Sequence, residues 1–205
     1  TSATIMTRSP YIFSLRHGDA ALAGVQIYTS FTPGRVEMEQ FQKLENGYRM
    51  ASTMNKGYNG PIARERIPEY ARKHNNAWCL LPHQLRKLTH VQYHTIVTEV
   101  YRTDGGWDLR ISTDDLEDVV TQIAFVFHPD SEISGEDLVP IGNGFQFWRS
   151  GTVRCRKDED WIEISSGAHD HGMTGIRGLT NDHKAPMLLV NLLTPFDKIF
   201  HIHQS

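Results

Sequence analysis

The segment VVTQIAFVFH, residues 119–128, alternates between two sides when it is extended. One side then carries the apolar residues Val119, Ile123, Phe125 and Phe127. The segment THVQYHTIV, residues 89–97, divides in the same way: Val91, Tyr93 and Val97 on one side, and His90, Gln92 and His94 on the other. Alternation with a period of two predicts strands of a sheet that has one wet face. In DWIEIS, residues 160–165, Ile162 and Ile164 alternate with Trp161 and Glu163.

Turn-forming sequences separate such runs at short intervals, among them Pro33-Gly34, Asn46-Gly47 and Asp104-Gly105-Gly106. MLLVNLL, residues 187–193, is short and apolar nearly throughout, which predicts a strand covered on both faces. The helix candidate at 63–73 is limited to a turn or two by Pro68. We therefore predict an all-β fold with minimal helix, a large antiparallel, supersandwich-like β-sandwich that spans 1–205 as a single domain.

Composition excludes several classes of protein. Of the 205 residues, 39% are hydrophobic and 22% are charged, which is typical of a folded globular domain. The net charge of −3 argues against a nucleic-acid partner, and no run of 18 apolar residues predicts a membrane span. The two cysteines, Cys79 and Cys155, form either one disulfide or two buried thiols. The start, TSATIMTRSPYIF, reaches strand-like sequence within ten residues without an initiator methionine, so we expect a piece of a longer protein.

Histidines are concentrated in SSGAHDHGMTGIRG, residues 165–178. His169 and His171 are two residues apart, so on a strand both imidazoles face the same side, as in many metal sites. Asp182 follows, and His201 and His203 repeat the spacing near the end. Zinc or another divalent metal would suit such ligands. The alternative is a glycine-flanked polar loop whose histidines form a hydrogen-bonded cluster that holds a ligand and needs no cofactor.

Tryptophan rings suggest a second kind of site, a platform on which sugars stack. Trp148 lies opposite Phe145 and Phe147 on its predicted strand and has Arg149 beside it, so Trp148 and Arg149 are our candidate ligand-binding pair. No catalytic signature such as GxSxG, HExxH or CxxC is present. The acidic pair Asp114-Asp115 resembles a solvated turn.

Three segments together resemble the C-terminal β-sandwich region of bacterial heparinase II/III-type, polysaccharide-lyase-like proteins and their uncharacterised relatives. They are YIFSLRHGDAALAGVQI, DWIEISSGAHDH and LLVNLLTPFDKIFHIH, residues 11–27, 160–171 and 188–203. The resemblance implies a sheet domain beside a helical domain of the same parent protein, with a polysaccharide groove between them and secretion or a periplasmic location. It also implies a zinc site at His169, His171 or Asp182. Without the helical domain, the chain is expected to contribute to the groove or brace it without being catalytic alone.

The HxH pair also resembles part of the first motif of the cupins, metal-dependent β-barrel enzymes. The glutamate of that motif is missing, since Met173, Thr174 and Gly175 stand in the region where it is expected. A stand-alone cupin-like enzyme is therefore an alternative function, with a third ligand from His201, His203 or Asp182. A β-sandwich interaction module that adds a partner strand at its edge is a further alternative.

Overall fold

The computed structural model describes residues 2–6, 9–14, 22–29, 31, 35–62, 86–165 and 185–204. Every regular element within these ranges is a strand. The strands are β1 Ser2–Met6, β2 Ser9–Ser14, β3 Leu22–Thr29, β4 Arg35–Leu44, β5 Gly47–Ile62, β6 Arg86–Thr103, β7 Gly106–Thr113, β8 Val120–Phe127, β9 Glu132–Gly142, β10 Phe145–Lys157, β11 Asp160–Ser165, β12 Met187–Leu193 and β13 Phe196–Gln204. The prediction of an all-β fold is confirmed, and the helix candidate at 63–73 lies outside the described residues.

The strands form one sheet in the order β1-β2-β3-β8-β12-β10-β11-β13-β7-β6-β5-β4, with β9 paired to β10. Two strands pair with the same edge of β10. Residues Phe145–Phe147 pair with β12 in parallel, and Val153–Lys157 pair with β11 in antiparallel fashion. The register shifts between these two parts, where Gly151 has a φ of 78° that glycine adopts readily. The sheet thereby divides into a first layer (β1, β2, β3, β8, β12) and a second layer (β4, β5, β6, β7, β11, β13). The strand β10 connects the two layers, and β9 pairs with β10.

The two layers enclose one hydrophobic core. Phe125 of β8 packs edge-on against Phe200 of β13, with ring centroids 5.0 Å apart. Each layer adds further buried aliphatic side chains, namely Ile123, Leu188 and Val190 from the first and Ile96, Leu109, Ile111 and Ile202 from the second. Full burial of one such side chain is worth about 1.5–3 kcal/mol. The predicted sandwich is therefore confirmed, with the parallel β10–β12 pair as a departure from an otherwise antiparallel set of described strand pairs.

The central strands of the first layer are buried on both faces, as the sequence of 187–193 predicts. Ile123, Phe125 and Phe127 face the main core, whereas Val120 and Ala124 join a second cluster on the opposite face with Leu189 and Phe147. Gln122 and Asn191 also lie on that opposite face, fully buried. The Gln122 side-chain amide donates a hydrogen bond to Asn191 Oδ1 at 2.8 Å, which explains how the apolar strands tolerate them.

The strand β6 alternates as its sequence predicts, and its wet face carries Val91 and Tyr93. These two side chains are 40% and 50% exposed, whereas His94 and Ile96 are fully buried. Val91 and Tyr93 therefore face water, whereas His94 faces the core together with Ile96. His94 can be buried because the carboxylate of Asp115 accepts a hydrogen bond from its Nδ1.

Cys155 is a free thiol buried in the core, and burial raises its pKa to about 11. We expect Cys155 in the native protein to resist alkylation by iodoacetamide near pH 8, because almost none of it is thiolate there. Peptide mass spectrometry would measure this, with the urea-unfolded protein as the control that must label fully. Rapid labelling of Cys155 in the native state would contradict the burial.

Candidate ligand-binding cleft

The outer face of the second layer, on the side away from the core, carries charged and polar side chains interspersed with apolar ones. Since side chains alternate along each strand, outward residues of neighbouring strands form rows across the sheet. Two adjacent rows run across β5, β6, β7 and β13. They consist of Arg49, Glu99, Arg110 and Ile199, and of Ala51, Val97, Ser112 and Asp197.

Arg110 is held at the centre of these rows by two carboxylates. Its Nε donates to Asp197 Oδ1 at 2.7 Å, and its Nη2 donates to Asp197 Oδ2 at 2.5 Å. Its Nη1 donates to Glu99 Oε2 at 3.1 Å, while Arg49 Nε lies 3.7 Å from Glu99 Oε1. Three of the five guanidinium N–H groups are thus engaged, which fixes the orientation of the side chain.

The pair also responds to pH. Hydrogen bonds from Arg110 lower the pKa of Asp197, and the same contacts raise the pKa of Arg110. Asp197 therefore stays ionised and paired with Arg110 at any pH above the ordinary aspartate range. The ion pair is lost as the pH falls through the lowered pKa of Asp197. Because the Asp197 side chain is 53% exposed, the pair adds little to stability, and its effect is to fix geometry.

A cleft of about 390 Å³ lies beside this pair. Val97, Ser112 and Arg110 contribute the outer face of the sheet to its lining, and Pro195 and Phe196 contribute apolar surface. Asp114 and Asp197 add carboxylates. The volume falls within the range of small-molecule sites, roughly 300–1,000 Å³.

The cleft lies where the chain passes between the layers. The connection from β7 to β8 and the connection from β12 to β13 both cross there, and they are bonded to each other. Asp118 N donates to Thr194 O, Thr194 N to Val119 O, and Val119 N to Thr194 Oγ1, each at 3.0 Å. The lining therefore belongs to two crossovers that are held in one position.

Asp115 anchors the first crossover to the core. His94 Nδ1 donates to Asp115 Oδ1 at 2.7 Å, and Thr113 Oγ1 donates to the same oxygen at 3.2 Å. The backbone N–H of Thr95 donates to Asp115 Oδ2. Asp114 and Asp115 are both exposed, as the interpretation of a solvated turn expects, but the Asp115 carboxylate also binds a buried histidine, which the sequence did not indicate.

The structure corrects the interpretation of Trp148. Phe147 lies on the opposite side of the strand, as predicted, but Trp148 is fully buried and packs against Phe125 and Phe200. Its indole N–H donates to Ser150 O at 3.1 Å. Both faces of β10 are covered at this point, so the ring is part of the core and offers no surface to a sugar.

Arg149 is exposed, but the structure does not bring it into the cleft. Its Nε donates to Asp137 Oδ1 at 3.0 Å, and Ser150 Oγ donates to Asp137 Oδ2 at 2.8 Å. These hydrogen bonds, first that of Ser150 and then that of Arg149, lower the pKa of Asp137. Arg149 thus connects β10 to β9 where the register between the two strands shifts.

The predicted metal ligands His169, His171 and Asp182 lie outside the described residues. His201 and His203 share the outer face of β13, and His201 Nδ1 donates to Asp108 Oδ1 at 2.8 Å. Within the described part of the chain, no group of three or more histidine, cysteine, aspartate or glutamate side chains is placed to hold a metal ion.

Sequence reasoning missed the cleft residues Arg110, Ser112, Phe196 and Asp197. None belongs to a catalytic or metal-binding motif, and Arg110 and Asp197 are 87 positions apart. Trp161, which the sequence placed with Glu163, does lie on the outer face, half-buried, with the Arg154 guanidinium 4.6 Å from its ring centroid.

Within the described residues, no helix is long and apolar enough to cross a membrane. Comparison of the chain with protein-family models, with curated proteins and with solved structures finds no match in any of the three.

Proposed function

We propose that this chain is a carbohydrate-binding β-sandwich domain of a larger carbohydrate-active protein, and that a sugar ring occupies the cleft beside Arg110 and Asp197. The observation that carries the proposal is the cleft itself, in which apolar surface and oriented polar groups lie side by side. Its parent would be a bacterial polysaccharide-lyase-like protein with a neighbouring helical domain, which the sequence resemblance supports.

Sugar rings present C–H faces and hydroxyl edges, and the cleft offers a partner for each. Pro195 and Phe196 supply apolar surface against which a ring face can pack. Asp197 and Arg110 supply acceptors and donors whose positions are set by their mutual hydrogen bonds. Because the protein groups are already ordered, binding costs little side-chain entropy.

The proposed role is binding without catalysis. The cleft opens at the surface of the sheet and is lined by residues that the strands and both crossovers hold in place. In the parent protein this surface would contribute to a polysaccharide groove or brace it. Robust lyase activity of the isolated chain toward uronate-containing polysaccharides would contradict this part of the proposal.

A bulky residue at the floor of the cleft tests the proposal. In Ser112→Tyr the ring would fill the space, so we expect oligosaccharide affinity to fall by about tenfold or more, equivalent to about 1.4 kcal/mol. Isothermal titration calorimetry against a panel of neutral oligosaccharides would measure this. Stability should change by no more than about 0.5 kcal/mol, because Ser112 lies on the outer face of the sheet.

Ser134→Tyr is the matched control, since Ser134 is an exposed strand residue opposite Arg154 and outside the cleft lining. It should bind as the unmodified protein does. Equal affinity of Ser112→Tyr and Ser134→Tyr, or an unmodified protein that binds no oligosaccharide in the panel, would contradict the proposal.

A further inference from the structure

We infer that the cleft prefers sugar units that carry a positively charged amine, and that Asp114 determines this preference. The inference rests on the proposed function and names the class of sugar that the same cleft takes. It follows from how the charges around the cleft are paired.

The positive charge of Arg110 is neutralised before any ligand arrives. Asp197 binds it through two hydrogen bonds and Glu99 through a third, so two carboxylates share one guanidinium. Arg49 compensates Glu99 from 3.7 Å. With Asp114 included, these side chains carry two positive and three negative charges, so the cleft has a net negative character.

Among these three carboxylates, Asp114 is the one that neither of the two arginines neutralises. It is exposed, lines the cleft, and has no hydrogen-bond or ion-pair partner among the described residues. Its neighbour Asp115, by contrast, is occupied by His94 and Thr95. Val97, Pro195 and Phe196 line the same cleft, so a ligand that fills it displaces water beside this carboxylate, which strengthens the interaction of Asp114 with a ligand donor.

A ligand group next to Asp114 must therefore be a donor. An ammonium forms a charge-assisted hydrogen bond there, a hydroxyl forms an ordinary one, and a carboxylate is repelled. The expected order of affinity is amino sugar first, neutral sugar second and uronate last. A uronate-containing glycan, which the lyase resemblance suggests as a ligand, is thus the least favoured of the three for this cleft.

Three oligosaccharides of the same linkage and length separate these cases, built from glucosamine, from glucose and from glucuronate. They would be titrated calorimetrically at slightly acidic pH, where the amine is protonated, and at an ionic strength of about 10 mM. We expect the glucosamine oligosaccharide to bind about fivefold more tightly than the glucose one, as is typical of a partly exposed ion pair. The difference should shrink at about 1 M salt, where the Debye length is only about 3 Å.

Asp114→Asn removes the negative charge and should abolish the preference for the amine, so that the glucosamine and glucose oligosaccharides bind this variant with equal affinity. Asp104→Asn is the matched control, because Asp104 is exposed in the turn between β6 and β7, at the other end of these strands. It removes the same charge from the chain and should leave the preference intact.

The outcomes distinguish the inference from the proposal beneath it. Equal binding of the glucosamine and glucose oligosaccharides, or equal effects of Asp114→Asn and Asp104→Asn, would overturn the amine preference while glycan binding stands. Failure of all three oligosaccharides to bind would overturn both.

Discussion

Trp148→Ala is expected to lower the free energy of unfolding by about 3–5 kcal/mol, the cost of emptying a fully buried tryptophan site. Trp148 contacts Phe125 and Phe200, which come from opposite layers, so the vacated space lies where the layers meet. The buried ring also satisfies its own N–H through Ser150 O. At about 2–4 °C per kcal/mol for a chain of this size, the melting temperature should fall by about 10 °C.

Trp161→Ala is the control for this prediction. Trp161 is half-buried on the outer face and makes its cation–π contact with the exposed Arg154, so its removal should cost less than about 1.5 kcal/mol. Urea denaturation of both variants would measure the difference. If Trp148→Ala were as mild as Trp161→Ala, the placement of Trp148 in the core would be wrong.

Asp115→Ala is expected to lower the free energy of unfolding by about 2–4 kcal/mol, because it removes the acceptor of three hydrogen-bond donors at once. His94 is fully buried and would lose the acceptor of its Nδ1, while Thr95 N–H and the Thr113 hydroxyl lose theirs. The crossover from β7 to β8 would also lose its attachment to β6, so affinity at the cleft should fall with stability.

The neighbouring substitution Asp114→Ala separates the two roles. Asp114 is exposed and has no partner among the described residues, so its removal should change stability by no more than about 0.5 kcal/mol. The midpoint of urea denaturation would report the contrast. Equal midpoints for Asp115→Ala and Asp114→Ala would show that the buried histidine does not depend on the carboxylate.

Much of the fold was predictable, because strand patterns are local. Alternation placed Ile123 and Phe125 on the same side of 119–128, and Ile162 and Ile164 on the same side of 160–165. All four side chains are buried. The unbroken apolar run at 187–193 identified a strand covered on both faces. These patterns report the period of the backbone and the hydrophobicity of each face, and neither depends on distant residues.

The candidate site was much less predictable. Trp148 was placed correctly opposite Phe147, but alternation cannot tell a wet face from a second buried face when both carry aromatic rings. The same ambiguity applies to β6, where Val91 and Tyr93 are exposed and His94 is buried. The metal interpretation of His169, His171 and Asp182 stays a prediction, since these residues lie outside the described part of the chain.

The sequence by itself determined the strands, the turns between them and the all-β sandwich, because side-chain period and turn chemistry act within a few residues. Only the tertiary structure decided which faces meet, and it brought Arg110 against Asp197 and the crossover at Asp114 beside the crossover at Pro195. The order of strands across a sheet is set by packing of whole layers, and no local pattern records which distant residues become neighbours. The cleft exists only because two connections between the layers run side by side at the same end of the sandwich.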